Sequence, residues 1–337
     1  MSAAAKTTAS DKCKRADAIP RGESLDLEPL PDSSTAPPLT LPPPEGLTSK
    51  IFLHKGGLRA GWRFLIYAFF VAALAFVGQF VLRMFVRPTR GVFSPGYLLI
   101  QEAFSFVVVF AAALIMAQLE RRSAGVYGLP LRGAFGKLFW QGSVIGLVEV
   151  SALMGLIAAF GGYSFGSLAV HGGELLRFAL LWAVFFVVVG LFEEFLFRGY
   201  TQYTLGDGIG FWPAAVVLSC LFGAIHLGNP GEGWVGAAGV VMIALVFALA
   251  LRRTGNLWLV VGWHASFDFG ETFLYSVPNS GIVFQGHLSN ASLHGAKWLT
   301  GGTVGPEGSI FSFLTMGVIA IAIHFLFPAK KPGPAQT

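Results

Sequence analysis

The chain has 337 residues, of which 54% are hydrophobic and only 12% charged, with 23 Lys and Arg against 18 Asp and Glu. A soluble domain would carry about twice that charged fraction, so the composition excludes a soluble protein and predicts an all-α, multi-pass membrane protein. The excess of basic residues lies in tails and short loops, which indicates membrane orientation and argues against a nucleic-acid partner.

The amino-terminal region differs from the rest of the chain because it is rich in Pro, Ser and charge. We interpret residues 1–56 as a disordered cytoplasmic tail. Its basic residues Lys12, Lys14 and Arg15 have no apolar stretch behind them, so a cleaved signal peptide is not expected. Residues 57–328 form the predicted transmembrane domain, and residues 329–337 a short basic tail.

Eight apolar segments follow the tail, each near the length of about 20 residues that crosses a bilayer. They are 61–85, 97–118, 138–161, 174–204, 211–228, 234–252, 256–275 and 309–327. Basic residues concentrate in both tails and in the second and sixth loops, so both termini are predicted to be cytoplasmic. We expect an integral protein of a bacterial inner membrane, built as a bundle of about eight transmembrane helices.

The fourth segment contains Glu193, Glu194 and Arg198 directly after an uncharged run. Charge at membrane depth is costly and usually marks a functional site. Residues four apart share a helix face, so Glu194 is predicted to pair with Arg198, while Glu193 turns about 100 degrees away and stays free. The alternative interpretation is a structural bridge between helices.

Histidines occur in two later segments. Phe222 precedes His226 by four residues, and His264 precedes Asp268 by four, so Asp268 can fix the tautomer or orientation of the imidazole. A carboxylate with a nearby imidazole can activate water, and a second donor can stabilise an oxyanion, as amide hydrolysis requires. The alternatives are an interfacial His226 and a packing hydrogen bond for His264. Glu149 lies unpaired in the third segment and receives no role.

Together the motifs Glu193-Glu194-Phe-Leu-Phe-Arg198, Phe222-x-x-x-His226 and His264-x-x-x-Asp268 resemble those of a known family. It is the CAAX protease and bacteriocin-processing (CPBP, or Abi) family of intramembrane endopeptidases, and the resemblance spans about residues 120 to 275. It implies an eight-helix bundle with a conical polar cavity open to the cytoplasm. It also implies water activation by Glu193 and His226, with His264 and Asp268 on the oxyanion side.

Asp268 stands where the family more often has Asn. Because an ionised Asp only accepts hydrogen bonds, its predicted task is to orient His264. Glu193, His226 and His264 also have the ligand types of a catalytic zinc site, yet the zincin motif His-Glu-x-x-His is absent. We therefore favour catalysis without a cofactor and keep a divalent metal such as zinc, held by these three residues, as the alternative.

The sequence thus predicts a CAAX-type intramembrane endopeptidase that cuts a peptide near its end. Its expected partners are the lipid bilayer and a peptide or lipidated-peptide substrate, prenylated only where the host prenylates proteins. Two other classes stay open. One is a non-proteolytic membrane scaffold or immunity protein, and the other is a proton-coupled transporter, although the segments lack the internal repeat typical of many transporters.

Overall fold

The computed structural model describes residues 53–54, 57–86 and 95–328. Residues 1–52, 55 and 56 of the predicted tail, and all of residues 329–337, lie outside the described residues. Leu53–His54 (β1) pairs antiparallel with Gly57–Leu58 (β2), and Tyr163–Ser164 (β3) pairs antiparallel with Ser292–Leu293 (β4). The rest of the described chain is mainly helical.

The described α-helices are numbered α1 to α10 in chain order. They are α1 (Ala60–Phe85), α2 (Pro95–Leu119), α3 (Lys137–Ala159), α4 (Gly172–Arg198), α5 (Tyr200–Ile209), α6 (Phe211–His226), α7 (Trp234–Thr254), α8 (Trp258–Phe269), α9 (Lys297–Thr300) and α10 (Ile310–Leu326). A π-helical turn, Gly270–Leu274, continues α8. Short 3-10 helices cover Ala124–Tyr127 and Pro306–Gly308.

The helices confirm an all-α membrane protein. Each predicted segment overlaps at least one helix. Five spans among the described residues are long and apolar enough to cross a membrane: α1, α2, α3, α7 and the stretch Gly172–Ile209 that contains α4 and α5. The predicted number of about eight transmembrane helices stays a prediction. The helices α6 and α10 are apolar but shorter. Large apolar side chains such as Phe76 and Phe85, each at least 80% exposed, suit a surface that faces lipid.

The fourth predicted segment is interrupted earlier than expected. It was predicted to run to residue 204, but α4 ends at Arg198 and Gly199 separates it from α5. A Cβ atom at position 199 would lie 2.4 Å from the carbonyl oxygen of Phe195, so the break depends on glycine. Glu193 consequently lies about 8 Å from the end of its helix, at about 1.5 Å per residue.

The bundle has two distinct ends. At the first, which we call the terminal end, Arg63 at the start of α1 binds Glu120 after α2 and Asp207 in α5. Arg253 and His324, at the ends of α7 and α10, also meet there. At the opposite end, which we call the loop end, β3 pairs with β4 and the segment between α8 and α10 contacts the α6–α7 loop. The described parts of α1 and α10 nearest the chain termini therefore share one end.

Helix α8 occupies the centre of the bundle and packs closely against α3. A Cβ atom on Gly142 or Gly146 of α3, or on Gly262 of α8, would lie within 2.3 Å of an atom of the facing helix. Only residues without a side chain permit this approach. Trp263 and its neighbours in α8 are fully buried. This packing sets the orientation of α8 and therefore the direction in which its polar side chains point.

Candidate active site

Three helices bring the six predicted site residues together. They are contributed by the last two turns of α4, the last residue of α6 and the second half of α8: Glu193, Glu194, Arg198, His226, His264 and Asp268. A cavity of about 260 Å³ lies between these helices. Four of the six line it, whereas Glu194 and Arg198 are buried behind its wall.

Glu194 is the fully buried carboxylate of the pair. Its Oε1 atom accepts a hydrogen bond from Nη1 of Arg198 at 3.1 Å, so the predicted i, i+4 ion pair is present. The same oxygen accepts a second bond, at 2.8 Å, from Nδ1 of His264. The guanidinium of Arg198 lies 4.8 Å from the ring centroid of Phe222, a cation–π contact that links it to α6. Glu194 therefore joins α4 to α8.

Glu193 is the accessible carboxylate. Its side chain is 22% exposed, and its Oε2 atom lies 3.7 Å from Nε2 of His264, beyond hydrogen-bond distance. The side chain lines the cavity. Adjacent residues point in different directions from a helix. The carboxylate of Glu194 is therefore buried and joins α4 to α8, whereas the carboxylate of Glu193 is open to the cavity.

His264 is surrounded by carboxyl groups. Because a carboxylate only accepts, the bond to Glu194 places a proton on Nδ1. The opposite nitrogen, Nε2, lies 3.4 Å from Oδ2 of Asp268 and faces Glu193. The ring stacks on Phe247 at 5.7 Å. Glu194, on a different helix, therefore makes the shorter contact to His264 than Asp268 does.

His226 is held by its own helix. Its Nδ1 atom lies 2.8 Å from the carbonyl oxygen of Phe222. A carbonyl cannot donate, so Nδ1 carries the proton and the neutral ring keeps a lone pair on Nε2. The Phe222 ring meets the imidazole edge to face at 4.4 Å. The i, i+4 pair of Phe222 and His226 therefore sets both the tautomer and the position of the ring.

Further carboxyl groups line the cavity. Glu149 is 1% exposed and accepts a 2.6 Å hydrogen bond from Nε1 of Trp263, the residue before His264. Glu102 on α2 and Glu307 after α9 also reach the cavity. Neither residue was predicted from the sequence to belong to the site. A carboxylate inside an apolar segment could have indicated Glu102, whereas nothing in the local sequence marks Glu307.

Glu307 accepts hydrogen bonds from a turn at the edge of the cavity. Its Oε2 atom accepts a hydrogen bond from the backbone N–H of Ser280 at 2.6 Å, and the hydroxyl of Ser280 donates to the same carboxyl group. Burial, together with the negative charge of Asp268, raises the pKa of Glu307 to about 8, and the bonds from Ser280 oppose the rise. Burial likewise raises the pKa of Glu232 in the neighbouring loop.

The position of the cavity bears on membrane orientation. Its lining residues outside the α-helices, Asn229, Asn279, Ser280 and Glu307 among them, all belong to the loop end. The described ends of α1 and α10 that lead to the chain termini lie at the other end. If the termini are cytoplasmic, these loop-end residues lie toward the extracytoplasmic side, whereas Glu193, about 8 Å from the terminal end of α4, lies nearer the cytoplasmic side. The cytoplasmic termini and the cavity open to the cytoplasm both stay predictions.

Glu193, His226 and His264 are not placed as a metal site. Across residues 57–86 and 95–328, no three His, Cys, Asp or Glu side chains form a group that could hold a metal ion. As placed, the three residues do not fit the zinc site considered from the sequence, and no step of the mechanism below is routed through a metal.

The fold and the site define an integral membrane protein whose buried helices present carboxylates and histidines to an internal cavity. Residues 175–270 match the family model described as type II CAAX prenyl endopeptidase Rce1-like. The match covers α4 to α8 and all six predicted site residues, and it confirms the resemblance to the CAAX protease family. No curated protein matches the chain. The family implies a membrane peptidase.

Proposed function

We propose that the protein is an intramembrane endopeptidase that hydrolyses a peptide bond with a water molecule activated by Glu193 and His226. The observation that supports this best is that an accessible carboxylate and an imidazole with a free Nε2 line one cavity beside His264. A general base and an oxyanion donor are the two groups that amide hydrolysis needs.

In the proposed reaction, water lies between Glu193 and His226. Glu193 removes one proton as the water oxygen bonds to the scissile carbonyl carbon, and Nε2 of His226 accepts a hydrogen bond that orients the water. The carbonyl oxygen becomes an oxyanion. When the C–N bond breaks, the proton held by Glu193 passes to the departing nitrogen, giving a carboxylic acid and an amine.

His264 is the proposed oxyanion donor. Its Nδ1–H is committed to Glu194, and its Nε2 faces Glu193 and Asp268, an arrangement that favours a proton on that nitrogen as well. Glu194 acts as a positioning residue because it fixes the ring, and Arg198 compensates the buried charge of Glu194. Asp268 orients His264 and, as an acceptor when ionised, makes no contact with the oxyanion.

The proposed substrate is a membrane-associated peptide processed near its carboxyl terminus, prenylated or otherwise lipidated where the host supplies such peptides. In a scaffold or immunity protein, the same residues would serve only to stabilise the helix bundle. The family match does not favour that alternative or a proton-coupled transporter.

We also propose that the termini are cytoplasmic in a bacterial inner membrane, because basic residues concentrate at the terminal end. Arg121, Arg122, Arg252 and Arg253 lie there, at the same end of the bundle as the start of α1 and the end of α10. The loop-end edge of the cavity then faces the extracytoplasmic side. The predicted opening of the cavity to the cytoplasm stays a prediction.

Cleavage of a peptide library by the purified protein in proteoliposomes tests the proposed function, with mass spectrometry to identify products. We expect defined cleavage products, and we expect them to persist in the presence of a metal chelator because the proposed mechanism uses only side chains. Absence of any product would refute the peptidase proposal. Loss of cleavage on chelation, restored by zinc, would refute the metal-independent mechanism.

A further inference from the structure

The cavity wall is rich in hydrogen-bond acceptors. Five of its lining residues carry carboxyl groups: Glu102, Glu149, Glu193, Asp268 and Glu307. An extended peptide offers N–H donors and C=O acceptors in alternation, and each needs a partner when water leaves the site. Carboxyl groups suit the N–H groups of a bound peptide, but its carbonyl oxygens need donors. The free N–H and O–H groups of the wall therefore determine where a peptide carbonyl can bind.

Most side-chain donors of the wall already have partners. Trp263 donates to Glu149, and the hydroxyl of Ser280 donates to Glu307. The side-chain amide of Asn229 donates to the carbonyl oxygen of Ser280 at 2.9 Å. The Nδ1 atom of each lining histidine is bonded to an oxygen atom of the protein. These bonds hold the wall together and leave few donors for a substrate.

Asn279 differs from the other donors. It lines the cavity and is 7% exposed, and its Nδ2 atom is buried without a hydrogen-bond partner in the described structure. Leaving a buried donor unpaired costs free energy, and an acceptor on a ligand would remove that cost. The backbone of Asn279 is fixed, because its N–H and C=O groups both bond to Ile282, at 2.9 Å and 2.8 Å. The wall therefore holds an unpaired amide donor on a fixed turn.

One set of contacts connects Asn279 to the end of α6. The backbone N–H of Asn229 donates to the carbonyl oxygen of His226 at 2.9 Å. The side chain of Asn229 bonds to Ser280, the residue that follows Asn279. Two hydrogen bonds through a single residue thus link the proposed water-activating histidine to the turn that carries the unpaired amide.

A second set of contacts connects Asn279 to α8. The N–H of Ser280 donates to Glu307 at 2.6 Å, and the carboxyl group of Glu307 is close enough to Asp268 for their charges to interact. The Oδ2 atom of Asp268 lies 3.4 Å from Nε2 of His264. Asn279 therefore lies at the edge of the cavity between α6 and α8, on the loop-end side of the proposed catalytic groups.

We propose that Asn279 binds a backbone carbonyl oxygen of the substrate peptide, other than the scissile one, and so keeps the scissile bond beside Glu193 and His264. The proposal deepens the proposed peptidase function and rests on it. Because the contact forms with a carbonyl that does not react, it is equally strong in the bound substrate and in the transition state. Such a contact lowers KM and leaves kcat unchanged.

The first test changes the acceptor on the substrate and uses the full-length protein in proteoliposomes. The peptide identified in the library experiment is made as a series in which one non-scissile carbonyl at a time becomes a thiocarbonyl, whose sulfur is a weak acceptor. We expect one position at which this change raises KM about 2-fold to 10-fold, the range that a neutral hydrogen bond supplies. The value of kcat should not change there.

Variants then test whether Asn279 makes this contact. Asn279→Leu keeps the shape of the side chain without the donor, and Asn279→Ala removes the amide. Each should raise KM for the unmodified peptide about 2-fold to 10-fold and abolish the effect of the thiocarbonyl at the sensitive position. Because Nδ2 has no partner in the described structure, both variants should unfold at or above the wild-type temperature.

Asn290→Leu is the matched control. Asn290 lies in the same segment between α8 and α10, is exposed, and does not line the cavity. Its KM, and its response to each thiocarbonyl peptide, should match those of the wild type.

The outcomes separate this proposal from the peptidase assignment. The carbonyl proposal would be overturned by an unchanged KM in both Asn279 variants, by equal responses of wild type and variants to every thiocarbonyl, or by a loss confined to kcat. A lowered unfolding temperature in both variants would also overturn it, because the amide would then support the fold. Each of these results leaves the peptidase assignment standing. Failure to cleave any peptide would instead overturn the peptidase assignment, and the carbonyl proposal with it.

Discussion

Replacing Arg198 with methionine tests the buried ion pair that connects α4 and α8. The side chains of Arg198 and Glu194 are 2% and 0% exposed, and the N–O distance is 3.1 Å. Without the guanidinium, His264 is the one remaining side-chain partner of Glu194 among the described residues. Removing one member of a buried pair typically costs about 3–5 kcal/mol, because the other charge stays buried without compensation. We expect a loss near the lower end, since His264 remains.

Thermal unfolding in detergent, followed by tryptophan fluorescence, measures this loss. A double-mutant cycle with Glu194→Gln sharpens the test, because the double variant should lose less stability than the sum of the single losses. Arg177→Met is the control, since Arg177 is exposed at the start of α4 and its loss should stay within about 0.5 kcal/mol. If Arg198→Met unfolds at the wild-type temperature, the ion pair does not stabilise the bundle and the reasoning fails.

Three further predictions address packing, titration and topology. Gly146→Ala should lower the unfolding temperature, because the added Cβ would lie 2.3 Å from the carbonyl oxygen of Trp263. Gly155→Ala is the control and should not lower it, because Gly155 has open space around it. Equal effects of the two substitutions would contradict the close contact between α3 and α8. The pKa of Glu307 is raised to about 8, so the folded protein binds a proton at this carboxyl group more tightly than the unfolded chain does. The free energy of unfolding of the wild type should therefore fall relative to that of Glu307→Gln between about pH 5 and pH 8, and the difference should level off above pH 8. Parallel pH profiles of the two proteins in unfolding assays would contradict this prediction. In a cysteine-free background, Ser280→Cys should react with a membrane-impermeant thiol reagent only from the extracytoplasmic side, and labelling from the cytoplasmic side would reverse the proposed orientation.

Local sequence patterns predicted the features that depend on neighbouring residues. The apolar segments became helices because their length and composition leave few alternatives in a membrane. The pair of Glu194 and Arg198 followed from helical periodicity, as did the different exposure of Glu193. The sequence predicted a fourth segment that continues to residue 204 and missed the break at Gly199. Composition does not show that a Cβ atom at this position would clash with the carbonyl oxygen of Phe195.

Contacts between distant residues could not be read from the sequence. His264 has a partner on its own helix at the expected spacing, yet its shorter contact comes from Glu194, seventy residues earlier. Glu307 lines the cavity because the segment between α8 and α10 folds back over the helices, where its carboxyl group accepts a hydrogen bond from Ser280. The loop residues that line the cavity, Asn229 and Ser280 among them, are likewise brought together only by three-dimensional packing.

In the proposed mechanism, Glu193 and His226 activate the water that cleaves a peptide bond. The most direct measurement is the single-turnover cleavage rate of a peptide substrate in proteoliposomes by Glu193→Gln, by His226→Ala and by the wild type, with tryptophan fluorescence to confirm folding. Loss of an acid–base group typically lowers the rate by about 100-fold to 10,000-fold, and both folded variants should show at least that loss. Near wild-type cleavage by either folded variant would refute water activation by Glu193 and His226.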